Sequence, residues 1–226
     1  MTPYRIALYY APNIDDPLHQ HAAAWLGRCA ATGVGKPQAA IAGIDIAEIT
    51  ADARGYGFHA TLKPPFRLQG DVRAALEAAQ DFAARTAPFS LPPLQVTDLD
   101  GFLALRESAP CPALQVLADG AVTALDPHRA PATEAEIARR RPENLSQRQR
   151  EYLTAWGYPY VFAEWRFHMT LTRRLTPEEK TIILPAVTEA LGDAPGMVRK
   201  VSDICVFAQA APGAPFIILE RLKLRG

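Results

Sequence analysis

Cysteine is scarce in this chain: Cys29, Cys111 and Cys205 are all there are in 226 residues, odd in number, far apart and without a C-x-x-C pair. That pattern suggests neither a zinc ribbon nor a secreted disulfide framework, and a reducing cytoplasmic setting is the expectation. Net charge is lacking as well, with Lys+Arg and Asp+Glu at 24 each. Such a balance removes the electrostatic footprint expected of a protein that holds long nucleic acid, and it leaves room for a small or terminal phosphate. No run of about 18 apolar residues occurs, so no membrane span is expected. The start, Met1-Thr2-Pro3-Tyr4-Arg5, leads straight into a strand-like stretch, and no signal peptide is expected.

Two motifs are missing in an informative way. Gly35-Lys36 invites a phosphate-loop reading, but Ala30 stands where the first glycine is required and Pro37 where Ser or Thr is required. No H-E-x-x-H occurs, and no Cys or acidic cluster flanks the histidines singled out below, so a metal centre is the lesser reading and no cofactor is expected.

What the chain does have is enough apolar residues for one sizeable domain or two intimate lobes. Arg5 to Tyr10 reads as a strand, and about Leu18 to Ala31 as an amphipathic helix with Pro17 in its first turn and Gly33 at its end. Gly33 to Gly57 reads as a loop or partly helical excursion. Gly57 to Lys63 reads as a strand stopped by Pro64-Pro65, and Asp71 to Arg85 as a helix capped by Asp71. Leu94 to Asp98 and Phe102 to Arg106 follow as two strands about a turn at Asp100-Gly101. The second half gives a similar succession: a strand at Ala113 to Ala118, a proline-broken helical region from Asp119 to Ala155, and a strand at Glu164 to Leu175. A helix opened by Thr176-Pro177-Glu178-Glu179 and two strands, Val201 to Ala208 and Phe216 to Leu224, complete it. The expectation is an α+β fold of duplicated β-α-β-α-β-β lobes, residues 1–110 and 111–226, related by a pseudo-twofold axis about a central cleft.

The halves share a pentapeptide pattern, Phe58-His59-Ala60-Thr61-Leu62 and Phe167-His168-Met169-Thr170-Leu171. On a strand, residues two apart project from the same face, so each copy offers an imidazole and a hydroxyl together. Two imidazoles flanking one phosphodiester can divide acid and base work, and threonine hydroxyls can donate to its nonbridging oxygens. His59 and His168 are therefore the catalytic candidates, with Thr61 and Thr170 as phosphate ligands. Strand alternation adds Lys63 and Arg166 as phosphate contacts, puts Thr172 and Arg174 on the face of His168, and turns Arg173 away. His19, His21 and His128 read as surface residues. Tyr158 and Tyr160 read either as packing or as a stacking platform. The basic run Arg139-Arg140-Arg141, with Arg148 and Arg150, reads as a solvated face or as a lid that clamps a phosphorylated ligand.

Paired histidine-x-threonine strands in a duplicated α+β chain resemble the two-histidine (2H) phosphoesterase superfamily, the LigT-like fold. More closely, Ala7-Leu8-Tyr9-Tyr10-Ala11-Pro12, Ala24-Trp25-Leu26-Gly27-Arg28, Gly57 to Lys63 and Phe167 to Thr172 resemble its branch named for phosphonate metabolism, domain of unknown function 1045. The resemblance implies metal-independent hydrolysis or transesterification of cyclic phosphates or 2',5'-linked phosphodiesters, with catalysis on His59 and His168. A ribose cyclic phosphate is the first substrate it suggests, and a noncatalytic nucleotide or RNA-end binding module and an RNA 2',5'-phosphodiester processing enzyme are the alternatives.

Overall fold

In the computed structural model, which describes residues 2–226, the chain runs β1 (Arg5–Tyr10), α1 (Pro17–Leu26), α2 (Ile46–Ile49), α3 (Ala51–Tyr56), β2 (Ala60–Phe66), α4 (Val72–Ala84) and β3 (Phe89–Leu91). It continues through β4 (Leu94–Leu99), β5 (Phe102–Glu107), α5 (Pro112–Leu125), α6 (Glu134–Arg139), α7 (Gln147–Trp156), β6 (Met169–Arg174) and α8 (Pro177–Leu191). It closes with β7 (Arg199–Val201), β8 (Asp203–Gln209) and β9 (Phe216–Lys223). Seven strands form one antiparallel sheet in the order β4-β5-β6-β2-β1-β8-β9, and β3 pairs with β7 in a separate ribbon. The α+β expectation agrees with this architecture.

Local chemistry explains the helix ends. Asp16 caps α1 by accepting from the Leu18 N–H at 2.8 Å, and Gly27, with φ of 81°, ends it in the left-handed conformation that lacks a Cβ penalty. The helix therefore stops six residues before Gly33. Asp71 caps α4 as expected, and Thr176 with Glu179 forms a reciprocal capping box on α8.

Along β1 the side chains alternate between two apolar environments. Ile6, Leu8 and Tyr10 enter the main core beneath the helices, whereas Ala7, Tyr9 and Ala11 join Cys205, Phe207 and Phe216 on the opposite face. That second face carries the candidate site.

Three expectations need correction. Ala113 to Ala118 is not a strand but the opening of α5, where Leu114, Leu117, Ala118, Ala121, Val122 and Leu125 are buried at helical spacing and Val116 is 71% exposed. The Leu-x-Val-x-Ala alternation was too short to separate a period of two from one of 3.6. Pro64-Pro65 does not stop the first motif strand: β2 runs through both prolines, because the register against β1 jumps from Leu8 with Lys63 to Ile6 with Phe66, a bulge in which no ladder N–H is required of them. Finally, His19 is not at the surface; it is 2% exposed, with Nε2 3.3 Å from Cys29 Sγ.

The sheet also interleaves the halves of the sequence. The hairpin β4-β5 lies beside β6, while β8-β9 lies beside β1. The seam between the two groups of strands is the β2–β6 pair, and both histidine motifs lie on it.

Candidate active site

Each motif histidine immediately precedes its strand, where the backbone has left the ladder and its carbonyls are free. His59 Nδ1 lies 2.8 Å from the Gly57 carbonyl and His168 Nδ1 lies 2.9 Å from the Arg166 carbonyl. A carbonyl only accepts, so both rings carry their proton on Nδ1 and leave Nε2 as the working nitrogen. In the first copy that nitrogen receives the Thr61 hydroxyl at 3.2 Å. Gly57 has φ of 82°, and a Cβ there would come within 2.4 Å of the Ala30 Cβ, so glycine is what the close approach demands.

The seam brings the copies together reciprocally. Ala60 pairs with Met169, and an antiparallel ladder centred on that pair sets His59 opposite Thr170 and Thr61 opposite His168. Met169 and Leu171 point into the main core, which leaves His168 and Thr170 on the other face. The Trp165 indole N–H spans the seam, donating to the Thr61 carbonyl at 2.8 Å.

The two histidines have different surroundings. His59 is half-buried, stacked on Tyr9 at 3.8 Å between ring centroids, with Tyr56 and Phe207 each at 6.0 Å. Burial pushes its pKa down to about 4, the Gly57 carbonyl opposing the shift and His168 adding to it. His168 is lowered as well, first by burial; the Arg166 carbonyl opposes, the charge of Arg106 lowers it further and that of Glu107 raises it.

A cleft of about 450 Å³ opens over the seam, lined by Thr61, His168 and Arg166, with Phe102, Tyr158, Tyr160 and Trp165 among its aromatic walls and Gln149, Glu164 and Arg174 among its polar ones. His59 reaches it through Thr61. The structure thus gathers His59, Thr61, His168, Thr170 and Arg166 around one seam and cleft. Tyr158 and Tyr160 line that cleft, and Arg140 lies over the Tyr158 ring at 4.6 Å, so one residue of the basic run reaches the site. Arg173 turns away, as alternation requires, to Glu48 and Glu179.

Lys63 is not part of the site. Its amine is 1% exposed and donates to Asp126 Oδ1 at 2.9 Å and to the Val122 carbonyl at 3.2 Å; burial lowers its pKa to about 8. The cause is a second bulge in β2. Leu8 pairs with Lys63 but its neighbour Tyr9 pairs with Thr61, so the side chain two residues beyond Thr61 emerges on the opposite face. Thr172 departs from alternation for the same kind of reason: the β5–β6 register jumps between Phe102 with Arg174 and Ala104 with Thr170, and the Thr172 hydroxyl accepts the Leu103 N–H at 3.0 Å inside the ladder. Tyr9 and Arg106 were missed by sequence reasoning, since only strand pairing reveals their proximity to the histidines.

Among the described residues, no group of three or more His, Cys, Asp or Glu is placed to hold a metal, and no helix is long and apolar enough to cross a membrane.

The twin histidine-x-threonine motifs thus meet antiparallel beneath one cleft, each ring held through Nδ1 by a carbonyl two residues back. The chain belongs to the family described as protein of unknown function (DUF1045), whose model matches residues 61–217. Ribose 1,5-bisphosphate phosphokinase PhnN of Janthinobacterium sp. (strain Marseille) is 39% identical over 231 residues, 98% of this chain and 51% of the relative. The protein of the same name from Laribacter hongkongensis (strain HLHK9) is 35% identical over 216 residues, 94% of this chain and 50% of the relative. The chain spans about half the length of these curated relatives. Two solved structures resemble it over 100% of both chains: E. coli LigT in apo form, at 15% identity and a TM-score of 0.49, and E. coli LigT complexed with 3'-AMP, at 13% and 0.48.

Proposed function

We propose that the chain is a metal-independent phosphodiesterase that hydrolyses a small cyclic phosphate by two-histidine acid/base catalysis. The observation that carries this reading is the matched tautomer: both rings are pinned through Nδ1 to a carbonyl two residues back, so both Nε2 atoms are available at a seam that also supplies two threonine hydroxyls. His59, held neutral, acts as the base. Its Nε2 takes a proton from water, the water oxygen bonds to phosphorus, the bond from phosphorus to the leaving sugar oxygen breaks, and a protonated His168 gives its Nε2 proton to that oxygen. An anionic substrate between the rings favours the charged form of His168, opposing the lowering by burial and Arg106. Thr61 and Thr170 donate to nonbridging oxygens, Thr61 exchanging its bond to His59 for one to substrate.

The relatives' name supports a phosphorylated ribose as the substrate class, in phosphonate metabolism, with the ribose cyclic phosphates as first choice. The same name also denotes a kinase, and this chain's own residues speak against that reading. Residues 28–35 form a bridged loop, Arg28 pairing with Gly35, and the residue types of a phosphate loop are missing at Ala30 and Pro37. On this reading the phosphoryl transfer named for the relatives belongs to the half of their length that this chain does not span.

The test is a panel of ribose and nucleoside cyclic phosphates assayed with and without chelator. Hydrolysis is expected to survive chelation and to fall about 10²- to 10⁴-fold in both His59→Ala and His168→Ala. Full activity in either variant, or loss with chelator, overturns the reading.

A further inference from the structure

Four guanidinium groups around the sheet are held by carboxylates. Arg67 holds Glu136 through two N–H groups, Arg173 holds Glu48 and Glu179, Arg199 holds Asp16, and Arg221 holds Asp203. Arg106 on β5 is different. Among the described residues its one ion pair is a loose contact at 3.6 Å from Nη2 to its own chain neighbour Glu107, and its Nε is buried without a hydrogen-bond partner. Buried polar groups in folded proteins almost always have a partner, and a cation's N–H is among the strongest donors a site can offer.

Its position says which partner fits. The β5–β6 ladder pairs Ala104 with Thr170 and Leu105 with Met169, so in the same register Arg106 stands opposite His168. Leu103 and Leu105 enter the main core, which turns Ala104 and Arg106 to the face shared by Thr170 and His168. Although Nε itself is buried, the side chain keeps 32% of its surface exposed, so a solute can reach the rest of it. The equivalent place in the other motif is uncharged: Tyr10 pairs with Ala60, which sets Ala11 opposite His59.

We infer that Arg106 is an anion-binding residue of this site, its loosely paired guanidinium donating to a phosphate oxygen beside His168. The inference rests on the phosphodiesterase reading for the identity of the anion, and it makes the site one-sided, with a fixed cation next to one histidine only. Glu107 Oε2 is also buried without a partner among the described residues, so closure of Arg106 onto Glu107 is the competing arrangement.

Inorganic phosphate titrated into the whole chain, followed by NMR on the His168 ring signals, reads the site without turnover; the signals are identified by their loss in His168→Ala. Arg106→Gln is expected to weaken phosphate binding by about tenfold or more and to raise the KM of any hydrolysed cyclic phosphate in parallel. Arg106→Lys, which keeps the charge, is expected to recover part of the binding and guards against a folding defect in the first variant. Glu107→Gln is expected not to weaken it. Unchanged phosphate binding in Arg106→Gln, an equal loss in Glu107→Gln, or no phosphate binding by the unmodified protein overturns the inference. Phosphate binding that depends on Arg106 in a protein that turns over no cyclic phosphate would remove the phosphodiesterase reading and leave this one standing.

Discussion

At the scale of single residues, the two histidines are alike in tautomer and unlike in surroundings. Tyr9 and the neighbouring aromatic rings keep His59 neutral, with a pKa near 4 in the folded chain against roughly 6.5 when unfolded. Between those values the unfolded chain binds a proton that the folded one refuses. Stability contributed by this group is therefore intact above about pH 6.5 and declines as pH falls toward 4. His168 is displaced in the same direction. Denaturant titrations at a series of pH values are expected to show a shallower acid decline for His59→Gln than for the unmodified protein, and identical slopes would contradict the assignment.

At the scale of elements, the strands carry the chemistry and their bulges decide which side chains take part. Lys63 would face the cleft in a regular β2; the bulge after Thr61 sends it to Asp126, which Arg129 also holds, at 2.8 Å. Lys63→Met is expected to leave hydrolysis and phosphate binding unchanged, with stability equal or higher by about 1 kcal/mol, because Asp126 keeps its arginine and an ammonium no longer has to be desolvated. A loss of phosphate affinity without loss of stability would return Lys63 to the site. This element also marks the limit of what could be read from the chain. The histidine-threonine pairs were legible because their spacing matches the strand period, and the capped helices were legible because Asp71 and Thr176 announce them. The sides on which Lys63 and Thr172 emerge were not, because a bulge is fixed by pairing with a distant strand and leaves alternation in the sequence undisturbed. Arg106 was hidden for a related reason: its place opposite His168 exists only in the register of two strands more than 60 residues apart in the chain.

At the scale of the whole molecule, the interleaved strand order means that neither half of the sequence holds a complete sheet. Residues 1–110 expressed alone would lack β6 beside β5 and β8 beside β1, exposing two long edges. Neither 1–110 nor 111–226 is expected to unfold cooperatively when made separately, whereas the whole chain should show one transition by circular dichroism. An independently folding half would contradict a single interlocked unit. The β2–β6 seam is also the thinnest join in the sheet. β1 and β8 are aligned over five successive residue pairs, while β2 and β6 share one, Ala60 with Met169, reinforced by the Trp165 indole. A phosphate held between Thr61, Thr170 and the two rings would serve as an additional rung, so that the substrate itself becomes part of the mortar that fixes the distance between the groups acting on it.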